Sequence, residues 1–185
     1  LPRVEEMVQG MGLPVELRPL VKTTESSMHS VYELSKVIGD QPFVLCTVDS
    51  IMLPSDAKGF IEAFGQGTDL DLLLSYTDFI DDEKPLYIGV SEQDQRVTAL
   101  GEGAKDSPYC TMGLYGLTPS VLPLLQLAVD RGVQKLRNFL GLVLQDDDKK
   151  VNGFKLSKAV DVDRPEDREV AEAFCKEHGL LASMG

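Results

Sequence analysis

Apolar residues in this chain follow two alternating rhythms, one helical and one strand-like. In residues 1–11, Val4, Met7, Val8 and Met11 keep helical spacing and stop at Gly12, which predicts a short helix. Residues 15–21 alternate like a short strand broken by Pro19. The polar stretch 23–27 then leads into a predicted helix over 28–38, with Val31, Leu34, Val37 and Ile38 on one face. Residues 42–48 form a continuous apolar run, the pattern of a strand covered on both faces. Pro54, Ser55 and Asp56 open a further helix that turns Phe60, Ile61 and Phe64 inward. Residues 70–76 read as a second buried strand.

The texture then changes. Residues 85–90 and 96–100 predict paired strands around the turn Glu92 to Gln95. A strand over 109–117, a helix over 118–129 and a helix over 135–144 follow. A last strand over 154–160 precedes a closing helix over 165–177, with Pro165 at an early helical position and Glu166 and Asp167 near the positive end of its dipole. Helix–strand alternation around an inserted hairpin predicts an α/β fold: a mixed, mostly parallel sheet with helices on both faces. With 185 residues, 43% of them hydrophobic, the chain reads as one domain, 1–185, with a full core. It opens on Leu1 rather than Met, which predicts a piece of a longer product.

Charge narrows the function. The net charge of −12 argues against a nucleic-acid surface and against a polybasic membrane contact. No signal peptide and no apolar stretch of spanning length is visible. Cys46, Cys110 and Cys175 are widely spaced and odd in number, with no disulfide framework or zinc spacing, so a cytoplasmic setting is expected. Cys46 and Cys110 lie in apolar runs and read as small core residues.

Two acidic clusters carry the chemistry. One is Asp49, where the apolar run 43–48 ends; the other is 161–167, Asp-Val-Asp-Arg-Pro-Glu-Asp. An acid where a strand meets solvent sits at the ligand-binding edge of an open α/β sheet. A second acid beside it would suit a hard cation such as Mg²⁺, which takes carboxylate oxygens and leaves positions for phosphate. The expectation is a metal-dependent, phosphate-handling protein.

Five segments, in order, resemble the nucleoside-triphosphate transferase family, which comprises sugar-phosphate, choline-phosphate and molybdenum-cofactor nucleotidyltransferases. They are 26–30 (Ser-Ser-Met-His-Ser), 43–49, 89–102, 112–119 with its Met-Gly-Leu-Tyr and Thr-Pro, and 161–167. The resemblance covers roughly residues 20–178 and implies that the mixed sheet is Rossmann-like. It implies transfer of a nucleoside monophosphate from a nucleoside triphosphate to a sugar phosphate or similar phosphorylated small molecule, with Mg²⁺ as cofactor and pyrophosphate as product. It also implies that Asp49 and Asp163 are the catalytic metal ligands, with Asp161 in reserve, and that Ser26, Ser27, Glu102 and Thr111 face substrate.

The family's Gly-rich nucleotide loop has no counterpart here, so the domain is expected to be N-terminally truncated and, as given, a poor catalyst. Ser26 stands at a family Gly, and Thr111 at an Asn of many sugar-nucleotide enzymes. These departures support an alternative: a catalytically inactive protein of this fold with a ligand-binding or regulatory role. A glycosyltransferase reading is weaker, because Asp49-Ser50-Ile51 lacks the second Asp of an Asp-x-Asp pair.

Each role has a plainer counterpart. Asp163 would cap the closing helix, and Ser26 or Ser27 would cap the helix after them. His29 reads as a partly exposed polar residue. Lys155 and Lys158 either meet a phosphate or form a solvated strand face.

Overall fold

A computed structural model describes residues 6–8, 10–12, 14–66, 69–80 and 84–180. The helices are α1 (Ser27–Ile38), α2 (Pro54–Gly65), α3 (Leu122–Asp130), α4 (Leu136–Leu144) and α5 (Asp167–Glu177). The strands are β1 (Phe43–Cys46), β2 (Ser50–Met52), β3 (Leu72–Thr77), β4 (Ile88–Val90), β5 (Val97–Leu100), β6 (Cys110–Leu117), β7 (Val151–Lys155) and β8 (Ala159–Asp161).

The central sheet has the order β1-β6-β3-β7. β1, β3 and β7 share a direction; β6 runs against both its neighbours, and β3 and β7 pair in parallel. The sheet is therefore mixed, with one reversed strand. Every residue of β3 and β6 is buried, including the polar Ser75, Thr77 and Thr111, as expected for strands covered on both faces.

Alternate side chains serve opposite layers, because strand side chains point to opposite faces. Leu72, Leu74, Tyr115 and Leu117 join the main core with Met28 and Val31 of α1, Leu125 of α3 and Phe139 of α4. Leu73 and Leu114 face the other way, onto Phe60 of α2. Phe60 is fully buried and meets Phe154 edge-on, centroids 5.6 Å apart. Such a ring pair contributes about 0.5–1.5 kcal/mol beyond its burial. Beyond β8, α5 buries Ala171 and Phe174 against Val160.

The inserted hairpin β4–β5 is antiparallel and closes through Ser91, whose amide donates to Arg96 O at 2.9 Å. Other elements differ from the sequence reading. Of the expected helix over 1–11, residues 6–8 and 10 are helical, and 1–5 and 9 lie outside the described residues. Residues 15–21 form no strand; Val15, Leu17, Leu20 and Val21 are exposed, and no strand pairs with them among the described residues. The run 42–48 yields only the four residues of β1, an edge strand whose burial alternates. Val48 is fully exposed, and Cys46 is exposed rather than a core residue.

The run 154–160 splits into β7 and β8, in different sheets. The cause is local. Leu156 N–H donates to Tyr76 O at 2.8 Å, and the next residue is pulled away: Asp56 accepts both the Ser157 amide (2.8 Å) and its hydroxyl (3.0 Å). The chain therefore turns off the central sheet and can pair with β2.

Asp71, at the mouth of β3, ties three segments together. Its carboxylate accepts the Ser120 hydroxyl and the Lys150 amide (2.8 Å), and Lys149 Nζ lies at 3.7 Å. Burial pushes its pKa up, but these partners outweigh burial and hold it below the ordinary carboxylate value. A depressed carboxylate contributes stability above its unfolded pKa, and that contribution is lost as pH falls through its folded pKa. Acid titration of the unfolding free energy is expected to show this loss below the ordinary carboxylate range. Asp71→Asn is expected to cost about 1 kcal/mol at neutral pH and to flatten the acid limb; an unchanged limb would contradict the assignment.

Candidate active site

The site is assembled at the edge of the central sheet by one close crossing. Gly113 of β6 lies against the 47–50 loop, and Thr47 N–H donates to Gly113 O at 2.8 Å. A Cβ at Gly113 would overlap the hydroxyl oxygens of Thr47 and Ser50. Only glycine lets the loop approach so closely. Thr47 and Ser50 share a hydrogen bond at 3.1 Å, and the Ser50 hydroxyl reaches the Asp161 carboxylate.

The loop leads into β2, which pairs with β8 in the register Ser50↔Asp161, Ile51↔Val160, Met52↔Ala159. One residue beyond, Val162 N–H donates to Asp49 O at 2.9 Å. Asp49 is thereby set across from the segment carrying Asp161 and Asp163. All three acids line one cavity of about 310 Å³, with Ser27, Thr111, Tyr115 and Arg137. Asp163 also lines a neighbouring cavity of about 320 Å³ with Lys84, Thr111, Arg137 and Arg164. The Asp49 and Asp163 carboxylates accept no hydrogen bond and pair with no cation among the described residues.

Asp163 is not the cap of the closing helix. That helix begins at Asp167, and the Asp167 carboxylate reaches back to accept the amides of Asp163 (3.1 Å) and Arg164 (2.8 Å). The Arg164 guanidinium closes the ring on Asp167 at 2.8 Å and, first among several contacts, holds the Asp167 pKa below its usual value. The hook fixes the 163–167 turn and leaves the Asp163 side chain exposed.

The other expected substrate residues divide. Thr111 lines the acid cavity beside Tyr115, whose pKa burial and then Asp161 push up to about 12. That phenol stays protonated and keeps an O–H to donate. Glu102 sits on the 3₁₀ turn Gly101–Ala104 and lines a different cavity, of about 690 Å³, with Leu86, Tyr87, Asn138 and Arg137. The two cavities share Leu86 and Arg137.

Ser26 and Ser27 do not cap their own helix. Ser26 Oγ hydrogen-bonds His29 Nδ1 at 2.9 Å and accepts the Lys135 amide at 3.3 Å. Ser27 Oγ accepts the Leu136 amide at 3.1 Å. Of the two, Ser27 also lines the acid cavity. Lys155 and Lys158 lie elsewhere: Lys155 pairs with Asp78 at 2.7 Å, and Lys158 lies over the Phe79 and Phe174 rings.

Arg137 and Tyr115 escaped the sequence reading. Tyr115 was part of the Met-Gly-Leu-Tyr segment that carries the resemblance, but it was given no site role. Arg137 carried a signal: it is a cation in the first turn of a helix that has no acid there, where the dipole disfavours positive charge.

No protein-family model matches the chain, and no curated protein matches it. Solved structures do. The inositol-1-phosphate CTP transferase from T. maritima aligns with a TM-score of 0.74 at 21% identity, over 91% of this chain and 69% of that one. UDP-glucose pyrophosphorylase complexed with UDP-glucose aligns with a TM-score of 0.67 at 17% identity, over 85% of this chain and 65% of that one. CMP:2-keto-3-deoxy-manno-octonic acid synthetase complexed with CTP aligns with a TM-score of 0.70 at 15% identity, over 95% and 78%. The chain shares the fold of these nucleotidyltransferases and spans between 65% and 78% of their lengths. No helix among the described residues is long and apolar enough to cross a membrane.

The crossing at Gly113 makes a sharp prediction. Gly113→Ala must displace the 47–50 loop, and an overpacked contact of this kind costs about 1–3 kcal/mol. Denaturant unfolding is expected to show that loss, with amide shifts in the protein's NMR spectrum centred on residues 47–50 and 161–163. Wild-type stability and unmoved resonances would contradict the account.

Proposed function

We propose that this chain is part of a nucleotidyltransferase that moves a nucleoside monophosphate from a nucleoside triphosphate to a sugar phosphate or similar phosphorylated small molecule. The observation that carries the reading is the pair of unengaged carboxylates, Asp49 and Asp163, lining one cavity at a sheet edge in a fold shared with such enzymes.

The donor set fits a hard divalent cation. Carboxylate oxygens are its preferred ligands, and two of them leave positions for water and phosphate oxygens. Among the described residues no group of three or more His, Cys, Asp or Glu could hold a metal alone, so these two acids would supply part of the shell and substrate the rest. Asp49 and Asp163 would hold Mg²⁺, which when bound supplies charge neutralisation at the transferring phosphate.

The chain's own residues then bind and orient. A phosphate oxygen of the acceptor forms a bond to the α-phosphorus. The bond from that phosphorus to the bridging oxygen breaks, and its electron pair leaves with pyrophosphate. The acceptor oxygen is already anionic near neutral pH, so positioning and charge matter more than a strong general base. Thr111 and Tyr115, which line the acid cavity, would offer hydroxyls to substrate, and Glu102 would meet the acceptor's organic group next door. The expected setting is the cytoplasm.

The test is pyrophosphate release by the protein expressed from its complete coding sequence, screened over nucleoside triphosphates and sugar phosphates with Mg²⁺. One nucleotide with Mg²⁺ is expected to raise the melting temperature. Asp49→Asn and Asp163→Asn are each expected to lower kcat by roughly 100-fold or more, the scale of a lost charge-stabilising group. Normal turnover by either variant would sink the site assignment. Nucleotide binding with no pyrophosphate release from any pair would favour the ligand-binding alternative.

A further inference from the structure

The acid cavity holds three carboxylates, Asp49, Asp161 and Asp163, yet the reaction proposed above brings in a further anion, the acceptor's phosphate. Among the described residues Arg137 is the one Lys or Arg lining that cavity. It also lines the neighbouring cavity with Glu102 and the one with Arg164, so it stands where the three meet. Its two terminal nitrogens each reach Lys84 O at a long 3.4 Å, which orients the guanidinium and leaves other N–H donors over.

Arg137 is also misplaced for helix stability alone. It is the second residue of α4, whose first turn has no acid. The positive end of the dipole disfavours a cation there. Lys135, the residue just before α4, has φ of +70, a left-handed conformation unusual for a residue with a side chain. Two serines at the start of α1 hold this segment in place: Ser26 and Ser27 accept the Lys135 and Leu136 amides from 109 residues away. These two amides are already engaged, so the guanidinium is the charged donor left at this end. Guanidinium and phosphate match as a bidentate, charge-assisted pair.

We propose that Arg137 is a binding residue for the phosphate of the acceptor, and that Ser26 and Ser27 are positioning residues that act through it. The proposal rests on the function proposed above for the identity of the anion as an acceptor, but not for the anion site itself. The acceptor phosphate bridges the two cavities at Arg137, its organic part directed toward Glu102 and its attacking oxygen toward Asp49 and Asp163. The serines thus serve substrate at one remove, through the first turn of α4.

The test uses inorganic phosphate as probe, without metal, followed by the ¹⁵N amide and Arg Nε resonances of residues 135–138. Saturable shifts there are expected, and Arg137→Gln is expected to weaken phosphate binding by roughly 10-fold or more, with Arg137→Lys recovering part of it. Ser27→Ala is expected to weaken it in the same direction, and the double variant to be no weaker than Arg137→Gln alone, which a merely structural role would not produce. Phosphate affinity unchanged in Arg137→Gln, or additive losses in the double variant, would overturn the proposal.

A second measurement separates it from the function on which it rests. In the pyrophosphate assay, Arg137→Gln should raise the acceptor KM by a similar factor and leave nucleotide affinity unchanged. Turnover with an unchanged acceptor KM would overturn this inference and leave the function standing. Arg137-dependent phosphate binding in a protein with no turnover would do the reverse.

Discussion

The pairing of β2 with β8 is the constraint on which the site depends. Three residues on each strand meet in antiparallel register, and the Val162 amide extends the pairing to Asp49. Because side chains alternate along a strand, a slip of one residue would turn the acids to the wrong face. Two features upstream make the pairing possible. Gly113 admits the 47–50 loop against β6, and the Asp56 carboxylate draws Ser157 away from β7. Downstream, Asp167 gathers the Asp163 and Arg164 amides and fixes the turn that carries the second acid. Sheet edge, loop and turn together set the Asp49 and Asp163 carboxylates along one cavity wall, unengaged by the described residues around them.

The charge balance of the site follows from that geometry. A chain with a net charge of −12 repels phosphates at long range, and the acid cavity does so locally. A reaction among phosphates at such a place needs positive charge delivered at particular points. A cation bound between carboxylates is one means, and a guanidinium at a helix start is another. Local cost accepted for function is the expected signature of a working site. An arginine at the positive end of α4, beside a left-handed Lys135, carries that signature.

Much of the fold was legible because burial on both faces leaves a largely apolar stretch, as in Leu72–Thr77 and Cys110–Leu117. The hairpin was legible from its turn, and Asp49 from its place at the end of an apolar run. What failed depended on partners remote in sequence. The run 42–48 looked doubly covered, but its strand lies at the sheet edge, and edge position is a property of topology. The break after Leu156 is made by Asp56, which no local pattern around residue 157 reveals. Ser26 and Ser27 carry the composition of a local cap, yet their hydroxyls serve another helix. Glu102 and Thr111, read as neighbours in function, line adjoining cavities, and Arg137 connects them.

The central claim is that Asp49 and Asp163 act as one divalent-cation site formed by the β2–β8 pairing. Anomalous diffraction from crystals soaked with Mn²⁺ and pyrophosphate tests it directly. The account predicts a single strong peak at that sheet edge, ligated by one carboxylate oxygen from each acid. A peak bound by only one of them, or bound elsewhere, would contradict it.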